Sequence, residues 1–284
     1  MRPAFDSTPW GAHLPDAQDR AVLALTRGMP ANWLGQRLAI LFRKLTMRRI
    51  GEGCIDTTLW GTRLRLYPRR NGCEKNALFT PQMYDTIERR VLAEAVQRKG
   101  EGSFTFVDIG ANVGLYSLYL ASCGNVHTLA IEPQPGIVER LRFHLAANPS
   151  AKIEVLPIAL SDREGMATLV INDSDNGGTH LDKHDGRQDA GERIEVPCRP
   201  LVAVLAEAEF AQIDALKIDV EGAEDIVLAP FLRDAPQSLL PDLILIEDTR
   251  EVWRVDLFAL LAERGYTEAE RSRQNVVLRL AGST

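Results

Sequence analysis

FTFVDIGANVGLYS, residues 104–117 of this 284-residue chain, carries the strongest local pattern in the sequence. A run of β-branched and aromatic residues ends at Asp108, Gly-Ala-Asn-Val-Gly follows, and an apolar helical pattern comes next. This order predicts a strand, a tight turn and a helix. Gly110 and Gly114 allow the backbone of such a turn to approach a ligand closely, which is typical of a nucleotide-like binding site.

Strands and helices alternate through the rest of the chain. Strands are predicted at 126–132, 152–160, 214–220, 242–248 and 274–281, and helices at 84–100, 113–122, 136–148, 201–210, 223–232 and 255–265. Residues 162–200 predict short strands and a polar loop. Strands separated by helices of about ten residues require a mostly parallel sheet with right-handed crossovers. We therefore predict a Rossmann-like α/β fold with helices on both faces of the sheet, and a ligand outside the carboxyl ends of the strands.

The front of the chain differs from this pattern. Residues 1–30 predict an uncommitted leader, residues 33–50 a basic amphipathic helix, and residues 57–72 a strand or hairpin. The apolar face of the predicted helix consists of Leu34, Leu38, Leu41 and Leu45. We expect an N-terminal extension over 1–80 and a ligand-binding domain over 81–284.

Charge is distributed unevenly along the chain. Residues 1–75 hold 13 Lys and Arg against 6 Asp and Glu, whereas residues 76–284 hold 20 against 33. The basic helix at 33–50 either touches an anionic membrane or an acidic partner, or caps the main domain with a solvated basic face, and we expect the second. The acidic main body argues against nucleic acid as a partner.

Two absences bear on the compartment. No stretch reaches the roughly 18 consecutive apolar residues that a membrane-spanning helix needs, and residues 1–20 lack the apolar core of a secretory signal. The four cysteines form no C-x-x-C pair, which predicts ordinary reduced thiols. We expect a cytoplasmic protein.

The acid before the turn restricts the ligand. A dinucleotide site has G-x-G-x-x-G, but Gly110 and Gly114 give only G-x-x-x-G, and a carboxylate at Asp108 would repel a diphosphate. An adenosine-like cation suits Asp108 better, and S-adenosylmethionine meets that description. Glu132 is placed to accept hydrogen bonds from both ribose hydroxyls, although NAD sites use an acid in the same way. An NAD-dependent oxidoreductase is therefore the less favoured alternative.

Four motifs resemble those of one family. VDIGANVGLYS, IEP, PIALSDREG and LKIDVEGAE occur in that order and are similar to the FkbM family of S-adenosylmethionine-dependent methyltransferases, over roughly residues 80–250. The resemblance implies a class I methyltransferase sheet of seven strands with the last antiparallel. It also implies O-methylation of a hydroxyl on a sugar, glycoconjugate or related natural product.

The resemblance assigns individual residues to the cofactor. It places Asp108, Gly110, Asn112 and Gly114 at the methionine end of S-adenosylmethionine. It also places Glu132 on the ribose, and Ala159, Ser161 and Asp162 along the adenine.

Two routes for removing the hydroxyl proton are open. In the first a side chain accepts the proton, and the candidates are Asp219, Glu221 and His180, the last in a loop long enough to cover the site. In the second a divalent ion such as Mg²⁺ lowers the pKa of the hydroxyl, held by Asp219 with Glu247 or Asp248 at the ends of neighbouring strands. A binding module that kept the cofactor pocket without turnover is the non-enzymatic alternative.

Overall fold

The computed structural model describes residues 5–171, 191–208, 210 and 212–282, and only the backbone of residues 179–181. Within this part of the chain, the extension contains helices and one hairpin. They are α1 (Ala17–Arg27), α2 (Trp33–Ile50), β1 (Ile55–Leu59), β2 (Thr62–Leu66) and α3 (Gly72–Phe79). Helix α2 and the hairpin agree with the predictions, but α1 lies in the predicted leader. The Asp16 side chain starts α1 by accepting a hydrogen bond from the Asp19 N–H.

The alternating pattern occupies the rest of the described chain. Its elements are α4 (Thr86–Lys99), β3 (Phe104–Ile109), α5 (Leu115–Cys123), β4 (Val126–Ile131), α6 (Pro135–Ala147), β5 (Lys152–Leu156), β6 (Ala159–Leu160), β7 (Gly165–Ile171), β8 (Thr179–Leu181), β9 (Glu192–Arg199), α7 (Leu201–Glu207), β10 (Ala215–Ile218), α8 (Glu224–Asp234), β11 (Leu243–Glu247), α9 (Leu257–Glu263), β12 (Tyr266–Arg271) and β13 (Asn275–Leu280). Short 3₁₀ turns at Gln237–Leu239 and Arg250–Val252 flank β11.

Seven of these strands form the central sheet, in the order β12-β13-β11-β10-β3-β4-β5. Strand β13 is antiparallel to both β11 and β12, whereas β11, β10, β3, β4 and β5 pair in parallel. The chain runs from β3 outward to β5 and then returns to β10 on the other side of β3. The order therefore reverses between β3 and β10, and the carboxyl ends of these two strands are where a ligand crevice is expected.

Both faces of the sheet are buried under helices, as a parallel sheet requires. Alternate residues along each strand point to opposite faces. Val107 and Leu216 pack with α7, α8 and α9, while Phe106 and Ala215 pack with α4 and α5. All four are completely buried. The predicted Rossmann-like α/β fold with its seven-stranded sheet is confirmed.

The extension shares a core with the sheet domain. Leu66 and Phe79 of the extension pack with Val113 and Leu115 at the start of α5. A buried ion pair between Glu74 and Arg140 also joins the two parts. The boundary near residue 80 stays a prediction, and the hydrophobic contacts across it are extensive.

A second sheet follows β5, in the order β6-β9-β7-β8. It corresponds to the segment for which short strands and a polar loop were predicted. Strand β7 pairs antiparallel with β9 over its full length, from Gly165 to Ile171. Residues 172–178 and 182–190, which include most of the predicted covering loop, lie outside the described residues.

Two predictions about the fold were incomplete. No strand was expected between α9 and β13, but β12 occupies the edge of the sheet there. The leucine face of α2 was expected to pack on the main domain. Helix α2 instead packs through the small buried residues Gly35, Ala39 and Thr46, and its leucines are exposed.

Candidate active site

The turn after β3 is built around close packing at its two glycines. Gly110 has φ +72°, and a Cβ there would lie 2.0 Å from the backbone oxygen of Asp219. Gly114 has φ +81°, and a Cβ there would lie 2.4 Å from Cδ1 of Leu141. Only glycine fits at position 110, where the clash is with backbone, whereas a larger residue at position 114 would adopt a strained φ and displace the end of the Leu141 side chain. Gly110 joins the end of β3 to the end of β10, whereas Gly114 allows α5 to pack against α6.

Asp108 lies near the end of β3, and its carboxylate is buried. Its side chain is 1% exposed, and its Oδ2 accepts a hydrogen bond of 2.6 Å from the Ser117 hydroxyl. Within the described part of the chain its Oδ1 has no hydrogen-bond partner, although Asp108 lines a cavity. Burial raises the pKa of Asp108, and the nearby Lys217 ammonium opposes that shift. A cationic ligand in the cavity would satisfy Oδ1 and favour the ionised carboxylate.

Glu132 links the turns after β3 and β4. Its Oε2 accepts from the Asn112 N–H at 2.9 Å, and its Oε1 accepts from the Gln134 N–H at 3.0 Å. Burial raises the pKa of Glu132 to about 7, despite these two hydrogen bonds. Each carboxylate oxygen can accept further bonds, so Glu132 can bind two adjacent hydroxyl groups of a ribose.

The turn after β10 presents two more carboxylates. Lys217 lies on β10 next to Asp108 in the strand register, and its Nζ donates to Oδ2 of Asp219 at 3.1 Å. Burial alone would lower the pKa of Lys217, but Asp219 and Asp108 raise it, so the ammonium stays charged. Glu221 follows in a left-handed conformation with φ +55°. A non-glycine residue in this region is strained, which is common at functional sites.

Glu224 holds this turn in place from the first residue of α8. Its side chain is completely buried and accepts hydrogen bonds from the N–H groups of Val220 and Gly222, both at 3.1 Å. Thr249 and Trp253 donate to its second carboxylate oxygen at 2.7 and 2.9 Å. Glu224 is therefore a positioning residue for Asp219 and Glu221.

Two cavities meet at this turn. The first, of about 130 Å³, is bounded by the ends of β3, β4 and β10 and by Leu169 of the second sheet. The second, of about 570 Å³, lies between α2, the start of α4, and the ends of β10, β11 and β13. The residues common to both walls are Cys73, Tyr84, Asp219 and Glu221. A group bound in one cavity can therefore reach a group bound in the other at these side chains.

Most of the predicted cofactor residues line the first cavity. The structure places Asp108, Gly110, Asn112, Glu132 and Ala159 in its wall. Gly114, Ser161 and Asp162 lie outside it: Gly114 packs on α6, and the Ser161 N–H donates to the Arg199 oxygen. The residues next to Ala159 that do line the cavity are the apolar Ile158 and Leu160.

The predicted catalytic residues separate into two groups. Asp219 and Glu221 line both cavities. The side chain of His180 lies outside the described residues, so its assignment stays a prediction.

The structure separates the predicted metal ligands into one acid paired with arginines and two that line the same cavity. Glu247 lines the second cavity, but Asp248 is bound to Arg250 and Arg271, both at 2.6 Å, which lowers its pKa to about 2. Among the described residues, Asp219, Glu247 and Asp248 are not a set of ligand atoms within 4.8 Å of one another, and the set that meets this limit lies elsewhere, at Asp6, His13 and Cys54. The two arginines occupy Asp248, whereas a metal site shared by Asp219 and Glu247 stays a prediction.

Two site residues were missed by the sequence reasoning. Asp85 precedes α4 and resembles a helix cap, but it has φ +41° and accepts a hydrogen bond from the Tyr116 hydroxyl at 2.9 Å instead. It lines the second cavity. Lys217 entered the prediction only as part of the LKIDVEGAE motif, without a role of its own. A lysine inside the apolar run of a doubly buried strand was the available signal, since a buried charge needs a partner.

The first cavity fits S-adenosylmethionine on these observations. The unsatisfied Oδ1 of Asp108 suits the ammonium group, Glu132 suits the ribose hydroxyls, and the apolar pair Ile158 and Leu160 suits the adenine. Together with a seven-stranded sheet whose antiparallel strand is β13, this site defines a class I S-adenosylmethionine-dependent methyltransferase.

Comparison with known families agrees with this class. The model of the methyltransferase FkbM domain matches residues 108–267, and the chain belongs to that family. The chain is 31% identical over 207 residues to methyltransferase sdnD of Sordaria araneosa, a match that covers 56% of this chain and 80% of that protein.

A second relative is much longer. The chain is 31% identical over 181 residues to the AMB antimetabolite synthetase AmbE of Pseudomonas aeruginosa, which is 51% of this chain and 8% of the synthetase. Among solved structures, the methyltransferase domain of METTL16 is 13% identical, with 99% of this chain and 100% of that chain covered and a TM-score of 0.46.

Proposed function

We propose that this methyltransferase transfers the methyl group of S-adenosylmethionine to a hydroxyl oxygen of a polyhydroxylated acceptor, such as a sugar, a glycoconjugate or a related small natural product. One observation carries this proposal. The cofactor cavity and the second, larger cavity meet at the carboxylates of Asp219 and Glu221. A substrate hydroxyl bound in the second cavity, where this cavity meets the first, would lie beside a carboxylate that can take its proton.

The chemistry requires both alignment and a base. S-adenosylmethionine supplies an electrophilic methyl group when bound, and in-line placement of the acceptor oxygen accounts for much of the rate. An aliphatic hydroxyl reacts poorly until its proton has an acceptor, and a positioned base contributes about 10²–10⁴-fold. We assign this role to Asp219, whose carboxylate is held by Lys217 and is 39% exposed.

The lining of the second cavity supports a hydroxylated acceptor. Its carboxylates are Asp85, Glu88, Asp219, Glu221 and Glu247, and its guanidinium groups are those of Arg43 and Arg273. An ionised carboxylate accepts hydrogen bonds only, and a neutral carboxyl group can also donate one, so such a wall favours ligands rich in O–H groups. The same excess of negative charge disfavours nucleic acid, whose phosphates need a basic surface.

The compartment we propose is the cytoplasm. All four cysteines are free thiols, which is usual where glutathione and thioredoxin keep cysteines reduced. No helix among the described residues is long and apolar enough to cross a membrane.

The test is transfer of label from methyl-labelled S-adenosylmethionine to a panel of sugars, glycosides, proteins and RNA, with and without a chelator. We expect label in glycosidase-sensitive sugar products that survive the mild acid and base that hydrolyse methyl esters. Label confined to RNA or protein would contradict the proposed acceptor. Loss of label with chelator would show that a metal is required, and binding of NAD without binding of S-adenosylmethionine would favour an oxidoreductase.

A further inference from the structure

The exposed side of α2 is unusually apolar for a protein surface. Among the described residues, ten large apolar side chains are exposed, and six of them lie between positions 33 and 45 of this helix. They are Trp33, Leu34, Leu38, Ile40, Leu41 and Leu45, with exposed fractions from 38% to 69%. Single exposed apolar residues are common, but a contiguous group marks an interaction surface.

Basic side chains lie beside these exposed apolar residues of α2. Residues 33–50 contain five Lys or Arg and no Asp or Glu, in a chain with a net charge of −6. Arg49 pairs with Asp16 and Asp19 of the neighbouring segment. Arg37, Lys44 and Arg48 are exposed, and no carboxylate among the described residues pairs with them.

The spacing of the two sets places them side by side. Leu34, Leu38, Leu41 and Leu45 recur every three or four residues and form one ridge, and Arg37, Lys44 and Arg48 form a second ridge next to it at 3.6 residues per turn. Trp33 lies at the start of the helix, and the centre of its ring is 5.4 Å from the Arg37 guanidinium carbon. We call this surface, from Trp33 to Arg48, the docking face.

We propose that the docking face binds the surface of an anionic lipid bilayer. A helix that lies in a bilayer interface combines a ridge of Leu and Trp, which enters the acyl boundary, with Lys and Arg, which bind anionic head groups. The charge of the docking face complements such a bilayer, whereas the acidic body of the protein is repelled by it. The opposite face of α2, at Gly35, Ala39 and Thr46, holds the helix on the protein.

Docking would also orient the second cavity. Gln36, Ala39, Ile40 and Arg43 of α2 form part of its wall. A protein bound through α2 would therefore hold this cavity beside the lipid head groups, where an acceptor with a sugar head group on a lipid tail is available. This consequence rests on the proposed function, while the docking itself does not.

The experiment measures binding of the full chain to sedimented vesicles of phosphatidylcholine alone and of phosphatidylcholine mixed with phosphatidylglycerol. Two triple variants separate the contributions: Leu34→Gln, Leu41→Gln, Leu45→Gln for the apolar ridge, and Arg37→Gln, Lys44→Gln, Arg48→Gln for the basic ridge. Glutamine is a good helix former, so α2 is retained. The matched control is Met166→Gln with Val252→Gln, which removes exposed apolar side chains on other elements.

We expect binding to the mixed vesicles that weakens with salt, about tenfold or greater loss in each triple variant, and no loss in the control. Trp33 fluorescence should shift to the blue on binding, and the shift should be absent in Trp33→Phe. Failure of the wild-type chain to bind mixed vesicles, or binding as tight as the wild type's by both triple variants, would overturn the proposal. A dimer that the leucine variant dissociates, without lipid binding, would assign the face to a second copy of the chain instead. None of these readouts requires turnover, so they are independent of the proposed reaction.

Discussion

The two cavities are built in opposite ways, although both open at the carboxyl ends of the same sheet. In the cofactor cavity each acid has a partner of its own: Glu132 accepts two backbone N–H groups, and Asp108 accepts from Ser117 and lies beside Lys217. In the second cavity several carboxylates face one another, and Glu247 has an unpartnered oxygen among the described residues. The first arrangement is prepared for one fixed ligand. The second brings five carboxylates together with two guanidinium groups, so the donors of a bound acceptor would add to those that Asp85, Glu88 and Asp219 already have.

The largest effect that would test this contrast is expected at Asp219. Asp219→Asn removes the proposed base but keeps the shape and the hydrogen bond to Lys217. Turnover should fall by about 10²–10⁴-fold, and the Kd for S-adenosylmethionine should stay within a few-fold. Single-turnover kinetics and calorimetric titration measure the two quantities. Unchanged turnover would mean that Asp219 is not the base, and the control Asp248→Asn, at an acid bound to two arginines outside the cavity, should leave both quantities unchanged.

The next largest effect is the contribution of Glu132 to the pH dependence of the free energy of unfolding. Its folded pKa of about 7 lies above the ordinary value of 4.5, so its stabilising contribution is fully present below pH 4.5 and is lost as the pH rises through 7. The loss amounts to about 3 kcal/mol at most. In Glu132→Gln this component should disappear, so the stability of the ligand-free variant relative to the wild type should be higher at pH 8 than at pH 5, although its NH₂ group loses one backbone hydrogen bond at both values. Thermal unfolding at pH 5 and pH 8 measures it, and Glu154→Gln, on the surface of β5, is the control.

A smaller effect is expected at Asp108. Asp108→Asn keeps the size of the side chain but removes the charge that faces the cofactor cavity. The Kd for S-adenosylmethionine should rise about 10–100-fold, since a charge-assisted hydrogen bond contributes about 1.5–3 kcal/mol. Calorimetric titration measures this change. An unaltered Kd would show that the unpartnered oxygen does not face the ammonium group.

The smallest effect is expected at Glu247. Burial and the nearby Asp219, Glu221 and Glu224 raise its pKa to about 8, so its side chain is mainly neutral at pH 7. Glu247→Gln resembles that neutral form, and turnover at pH 7 should stay within about threefold of the wild type. Above pH 8 the two proteins should diverge, because only the wild type ionises. A large loss at pH 7 would show that the ionised carboxylate is required there.

The sequence predicted the cofactor cavity more completely than the second one, and the reason is local. The strand, glycine turn and helix from Phe104 to Ser117 are adjacent in the chain, so their pattern specifies their geometry. The second cavity is assembled from α2, α4 and the ends of β10, β11 and β13, which are distant in sequence. Asp85 therefore fell inside the predicted helix 84–100, because nothing near it in sequence shows that its backbone is left-handed.

Three other misses have physical explanations. Residues 266–271, YTEAER, form an edge strand with mostly exposed side chains, so the apolar alternation that identifies strands is absent. Glu247 and Asp248 are neighbours at a strand end, but Glu247 lines the cavity while Asp248 binds Arg250 and Arg271. In α2 the periodicity identified a leucine ridge but not its direction, since small residues on the opposite side allow closer packing.

The contact at Gly110 has a consequence for how this enzyme can diversify. Because its α-carbon leaves no room for a methyl group against the backbone oxygen of Asp219, the turn after β3 and the turn after β10 can change only together. New acceptor preferences are therefore expected to arise from the opposite wall of the second cavity. There α2, Met83 and Asp85 before α4, and Arg273 and Gln274 before β13 line the second cavity and not the cofactor cavity. The two turns are therefore expected to change together during evolution, whereas residues in the opposite wall of the second cavity can be substituted one at a time.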